Sequence, residues 1–293
     1  MALPLNSKST HRLPSAQEEM SFVDHLEILR WHLMRSVIAI LVCAIILFVH
    51  IDWVFDHIIY GPMRADFFTY TKLCAFSHKI GIGEALCMPA PNVNMQVTAF
   101  GSQFMSSITI AFMGGLIIAF PYIFWEFWRF IKPALSYKEI QRSRGAIFWV
   151  SFFFFLGISF GYFLLAPFTF SFLSNFKLGT LQALETKPTL DDYIDNMTNI
   201  ILGTGIAFEL PVVSSVLSRI GLVTPAFLRT YRKYAYVAIL LVAAIITPSP
   251  DWMSQLIVAI PLFTLYEISI VISRRVQKEL IEKEKAFFKS SSS

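Results

Sequence analysis

The chain has 293 residues, 55% of them apolar and only 15% charged, with 29 phenylalanines, a mean hydropathy of +0.59 and a formal net charge of +4. Soluble domains carry about 25% charge, so this chain lacks the polar surface to cover a water-soluble particle. That excludes a secreted disulfide scaffold, a disordered regulator and an ordinary cytosolic enzyme. It leaves a polytopic membrane protein, all-α, because a helix satisfies its own backbone groups in lipid.

In chain order, residues 1–20 contain no apolar run suited to a secretory signal. Ser7, Lys8, Ser9, Arg12 and Ser15 give a faint transit-peptide composition without amphipathic support. The segment reads as a cytoplasmic tail, and the first span as its own uncleaved insertion signal. Spanning the ~30 Å hydrocarbon core takes about 20 apolar residues in a helix. Six runs qualify, some barely: 32–51, 100–128, 146–166, 193–217, 234–246 and 256–272. The second carries Pro121 as a kink site, the third is expected to stop at Pro167, and the fourth holds Glu209 and Pro211. The short fifth and sixth runs predict local bilayer thinning or a tilted, sheltered position. Residues 21–275 form the six-span core, and 276–293 a second cytoplasmic tail.

Charge sorts along these runs. All but five of the 24 lysines and arginines fall on the segments that share one side with the termini, leaving Arg64, Lys72, Lys79, Lys177 and Lys187 on the other. The positive-inside rule then puts both termini in the cytoplasm and leaves outer loops at 52–99, 168–192 and 247–255. The first loop is too polar to span and too long for a turn, so it is functional or carries short structure of its own. Its Gly81, Gly83, Pro89 and Pro91 suggest an irregular cap, to which Pro62 also belongs. Cys74 and Cys87 share that loop; they pair if it faces an oxidising compartment, or stay as two thiols. Cys43 reads as packing, and the absence of a CxxC or Cys/His ligand cluster argues against a metal site. No internal repeat is visible.

Ionisable groups inside the spans are costly, about 2.5–3.5 kcal/mol on insertion scales. Glu209 lies mid-span, either holding the bundle's register or meeting a partner helix or wet groove. Gln255 and Glu267, twelve residues apart, share roughly one side of the sixth span. Packing and polar contact with another membrane segment explain them equally well. Asp251 in the tight outer turn reads as a helix cap. Gly157-Ile-Ser-Phe-Gly161 permits close helix approach. Asn196-Met-Thr198 matches a glycosylation sequon, discounted at a span entrance. No HExxH or P-loop is present, which points away from an enzyme.

Five pieces, in order, resemble the TatC family, the polytopic receptor subunit of the twin-arginine (Sec-independent) protein translocase. They are His25-Leu-Glu-Ile-Leu-Arg30-Trp-His-Leu33, Phe127-Trp-Arg-Phe130-Ile-Lys-Pro133-Ala-Leu135 with Glu139, Phe208-Glu209-Leu-Pro211, Thr247-Pro-Ser-Pro-Asp251 with Gln255, and Ala259-Ile-Pro261 with Tyr266-Glu267. The resemblance implies a concave, glove-like bundle of six helices in a bacterial inner membrane, both termini cytoplasmic. It implies binding of twin-arginine signal peptides on folded cargo, and export by the proton-motive force with no cofactor or nucleotide. Single-span TatA-type and TatB-type partners, the lipid bilayer and self-association in a receptor complex are implied; nucleic acid is not. Signal-peptide contacts are expected at Glu139, Glu27, Arg30 and Phe130. Partner-facing positions are Glu209, Gln255 and Glu267, with Pro62, Pro133, Pro211 and Asp251 structural.

One position departs from the pattern. The family usually has a Glu two residues before the Arg of the first motif, where this chain has Ile28, with an acid at Glu27 instead. The two differ by about 100° around a helix, so Glu27 does not substitute directly. Glu139 is therefore expected to carry most of the arginine contact, with Glu27 helping only if the amino-terminal segment rotates. In the bland alternative, Glu27 and Glu139 merely pair with Arg30, Lys138 or Arg142. A proton- or ion-coupled solute transporter using Glu209, Glu267 and Asp251, and an intramembrane enzyme, are the competing readings; neither explains the ordered basic-side motifs.

Overall fold

The computed structural model describes residues 22–81, 83–84, 87–91, 95–131, 145–176, 187–221, 223–247 and 252–291. Among them there is no β-strand, only one isolated bridge between Gln96 and Thr189. The calls on Pro133, Glu139 and Asp251 lie outside the described residues.

Helix α1 (Phe22–Val49) contains the wholly apolar stretch Val37–Val49 and starts ten residues before the predicted span. Twenty-eight residues reach roughly 42 Å, more than the ~30 Å core, so one end projects past the hydrocarbon. It is followed by α2 (Ile51–Val54), a π-helical turn (Phe55–Ile59) and a 3-10 turn (Gly61–Met63), then α3 (Phe68–Ile80), which ends on Gly81 at φ 81°. The long 52–99 connection thus carries its own short helices. Cys74 on α3 is bonded to Cys87 beyond it, which decides between the two readings of those cysteines.

Helix α4 (Ser102–Ile131) runs unbroken through Pro121 and packs along α1. The approach is close because Gly115 has no side chain: a Cβ there would stand 2.8 Å from the Ala44 nitrogen and 2.9 Å from the Ile40 oxygen. Without a hydrophobic drive between helices in lipid, such backbone proximity supplies the packing.

The third span differs from expectation. Helix α5 (Ala146–Phe160) passes through a π-helical turn (Gly161–Leu165) into α6 (Ala166–Asn175), so the helix continues past Pro167 instead of stopping there. Proline donates no hydrogen bond to the carbonyl four residues back, which strands the Phe163 oxygen. Thr69 Oγ1 of α3 donates to that oxygen. The neighbouring Tyr70 hydroxyl donates to the Pro62 oxygen at 2.9 Å and the Pro167 oxygen at 3.2 Å, and burial raises its pKa above the ordinary tyrosine value. Side chains of α3 therefore stand in for the helix's missing ladder, and Pro62 is an acceptor in that lock.

Helix α7 (Leu190–Ala207) starts at Thr189, whose hydroxyl accepts from the Asp192 amide at 3.2 Å. Asp191, in the first turn, accepts from Ser102 Oγ and, at 2.9 Å, from Ser106 Oγ, tying the N-terminal ends of α4 and α7. The chain breaks at Phe208-Glu209 and resumes as α8 (Leu210–Ile220), with Pro211 in its first turn, where a missing amide costs nothing. The Gly157/Gly161 spacing does serve close approach. A Cβ on Gly157 would lie 2.6 Å from the Thr204 oxygen and 2.9 Å from Gly205 Cα.

A short α9 (Pro225–Thr230) leads into α10 (Arg232–Ile246) and the long α11 (Trp252–Ser291), which contains Pro261 and runs on past the predicted 256–272 run. The best buried described residues include Phe154 on α5, Leu165 in the π-helical turn, Met197 and Ile200 on α7, Ala243 on α10 and Leu262 on α11. Among the described residues, five helical segments are long and apolar enough to cross a membrane: 26–49, 102–131, 147–175, 190–219 and 255–279. The fifth of the six predicted runs, α10, has 15 residues, or roughly 22 Å, and falls short on length.

Candidate functional site

The basic ends of α1 and α4 meet through an ionic cluster that sequence reading passed over. His32 Nδ1 lies 2.5 Å from Glu126 Oε2, and the Tyr122 hydroxyl donates to Glu126 Oε1 at 3.0 Å. Arg129, one turn on, stands 3.8 Å from the same carboxylate and 4.9 Å over the Trp125 ring. The Glu126 side chain is 1% exposed, and that of His32 14%. A carboxylate this buried persists only when paired and hydrogen-bonded. The signal was present: Glu126 sits inside an apolar run, and the cost argument applied to Glu209 applies equally there.

This contact sets the facing of the α1 motif. At ~100° per residue, Ile28 lies roughly 40° from His32 and so toward α4, and it is half-buried. Glu27 and Arg30 fall roughly 140° to 160° away from His32, and both are exposed. Phe130 packs edge-on to His32, ring centroids 6.3 Å apart. The structure therefore brings Arg30, Glu27 and Phe130 to one end of one helix pair. Phe130 is next to last in α4, directly ahead of the segment carrying Pro133 and Glu139.

Glu209 occupies the break between α7 and α8, with both carboxylate oxygens buried and no hydrogen-bond partner among the described residues. An orphaned buried carboxyl costs at least about 1–3 kcal/mol, so the site is expensive as it stands. Glu267, by contrast, is satisfied within the chain: Arg232 donates to Oε2 at 2.8 Å and the Tyr236 hydroxyl to Oε1 at 2.5 Å. Gln255 Nε2 donates to the Leu240 oxygen at 3.1 Å. Both residues thus bind α10 to α11.

The expectation that no Cys/His cluster exists needs correction. His78 Nε2 lies 3.8 Å from Cys87 Sγ, and the three candidate ligand atoms of Cys74, His78 and Cys87 lie within 4.8 Å of one another. The clustering arises in space, from one turn of α3 and the returning loop. Both sulfurs are joined in the disulfide and offer no thiolate to a metal.

Residues 24–261 match the family described as Sec-independent protein translocase protein (TatC). The chain is 39% identical over 272 residues to the TatC protein of Blattabacterium sp. subsp. Periplaneta americana, covering 91% of this chain and all of that one. With the TatC protein of Deinococcus radiodurans it shares 33% identity over 86% of this chain and 84% of the other. Among solved structures, the crystal structure of the twin arginine translocase receptor TatC in DDM is 34% identical, with a TM-score of 0.67 over 85% of this chain and 99% of that chain. A second crystal structure of the same receptor gives 0.65 at 33% identity, over 86% and 99%.

Proposed function

The chain belongs to the TatC family of Sec-independent protein translocase proteins, and from that premise we propose that it is the signal-peptide receptor of a twin-arginine translocase. Its basic end is the docking face. Glu139 is the main acceptor for the paired guanidinium groups, Glu27 a secondary one, and Arg30 and Phe130 border the site. Two planar guanidinium forks each want a fixed carboxylate for parallel hydrogen bonds, a geometry an ammonium does not reproduce. The observation that carries this reading is the His32–Glu126 contact, because it holds the exposed Glu27–Arg30 turn beside the α4 end from which Glu139 departs.

In this reading the core spans 21–275, flanked by tails at 1–20 and 276–293. It crosses a bacterial inner membrane six times, with both termini cytoplasmic. The basic-residue asymmetry supports that orientation. The 15-residue α10 is the fifth crossing, sheltered against α11 by Arg232, Tyr236 and Gln255. The bundle is concave, and Glu209 faces its hollow, where its orphaned oxygens meet a polar group of a single-span TatA-type or TatB-type partner. Gln255 and Glu267 border the groove for such partners, and receptor units self-associate. Folded cargo then leaves on the proton-motive force, without a cofactor of this chain.

The test is peptide binding to the purified full chain. Glu139→Gln is expected to weaken a twin-arginine peptide at least about tenfold, since a hydrogen bond to a charged group contributes ~1.5–3 kcal/mol. Glu27→Gln is expected to have a smaller effect. A Glu139→Gln protein that binds normally beside a Glu27→Gln protein that does not bind reverses the assignment.

A further inference from the structure

Where α5 begins, α8 ends and α11 passes from apolar to basic sequence, a cavity of about 480 Å³ is present. Phe153, Val212 and Ile272 give it apolar walls, with Trp149 beside them. Its polar lining is Arg219, Arg275 and Ser215, and no described residue lining it is acidic. Gly145, also in the lining, stands at the start of α5 and brings no side-chain cap to that helix. The first amides and the positive end of the helix dipole therefore add to the field of the two guanidinium groups.

This combination selects an occupant. Two arginines and an uncapped helix start call for a phosphate, which guanidinium binds through parallel hydrogen bonds. The apolar walls call for hydrocarbon attached to it, because a soluble anion gains nothing from them. Basic pockets between helices at the basic side of a membrane suit anionic headgroups, and a tryptophan at such a level marks the water–lipid boundary. We propose that this cavity binds one anionic phospholipid, its phosphate held by Arg219 and Arg275 and an acyl chain lying along Phe153, Val212 and Ile272. The choice of the cytoplasmic leaflet rests on the orientation proposed above; the binding itself does not.

The experiment uses the full chain in detergent, with lipid retention counted by native mass spectrometry and titration of short-chain phosphatidylglycerol or phosphatidylcholine. Wild type is expected to retain phosphatidylglycerol over phosphatidylcholine. Removing both charges in Arg219→Gln/Arg275→Gln should weaken the anionic lipid on the order of thirtyfold. Val216→Trp, which fills the slot while leaving both arginines, should weaken it as well. Lys278→Gln, a charge change on the exposed part of α11, should leave it unchanged. Equal retention of the two lipids by wild type, or unchanged retention in both altered proteins, overturns the proposal. So does displacement of the lipid by millimolar inorganic phosphate as readily as by short-chain phosphatidylglycerol. Twin-arginine peptide binding is read in a separate titration, so failure of the receptor assignment and failure of the lipid site give different results.

Discussion

Replacing Glu126 with Ala would remove the anion that joins the basic ends of α1 and α4. The carboxylate is almost fully buried, with His32 at 2.5 Å and Tyr122 at 3.0 Å. Deleting one member of a buried pair costs about 3–5 kcal/mol, because the other is left uncompensated. Imidazole has a neutral form and His32 keeps a little exposure, so the expected cost is about 3 kcal/mol, at the low end. Most of this should appear as local opening of the first turns of α1, whose apolar side chains otherwise face outward. At a factor of ten per 1.4 kcal/mol, exchange protection of amides 28–36 should fall roughly a hundredfold. Hydrogen exchange read by mass spectrometry on the full chain measures this. Glu126→Gln, which keeps a hydrogen-bonding side chain, should lose less, and a cycle with His32→Ala should show coupling. Unchanged protection in Glu126→Ala, or additive effects of the two changes, would refute the argument that this pair positions the α1 motif.

Four further outcomes are expected. Thr69→Val should cost about 1–2 kcal/mol by orphaning the Phe163 oxygen, and Pro167→Ala in the same chain should recover part of it; thermal melts of the two proteins check this, and no recovery contradicts the substitute-donor account. Gly157→Ala should lower stability by about 1–3 kcal/mol through overpacking against Thr204 and Gly205, whereas an unchanged melting temperature would show that α5 and α7 can separate. Opening the 13-residue Cys74–Cys87 loop by reductant should cost up to about 3 kcal/mol on chain-entropy grounds; the check is a melt with free thiols titrated. Arg232→Gln should change stability by no more than about 1 kcal/mol, because the Arg232–Glu267 pair is nearly half exposed, and a larger loss would mean the pair is shielded in the membrane.

How much of this was legible in the sequence depended on whether one element or several decided the outcome. Hydropathy runs located the helices because an unbroken apolar stretch such as Val37–Val49 has few alternatives in lipid. The Gly157/Gly161 spacing announced a close contact because small residues on one face have little other use. The extent of the third helix was not legible. Pro167 ends a helix unless its orphaned carbonyl finds a donor, and that donor, Thr69, lies 94 residues from Phe163. The His32–Glu126 pair was hidden for the same reason, with its halves 94 positions apart; only the cost of a lone acid in an apolar run pointed to it. The sulfur pairing depended on the loop's path, which composition does not encode. Glu267 and Gln255 were read as sharing roughly one side although twelve residues turn a helix about 120° past full turns; what they share is contact with the chain's own α10. The break at Glu209 followed from Pro211, while the isolation of its carboxylate emerged only from three-dimensional packing.

The receptor reading is tested most directly by titrating the purified full chain with two synthetic signal peptides that differ only in carrying two arginines or two lysines at the recognition positions. The account predicts firm binding of the arginine peptide, at least tenfold weaker binding of the lysine peptide, and loss of that difference in Glu139→Gln. Equal affinity for both peptides in the unaltered chain would contradict it.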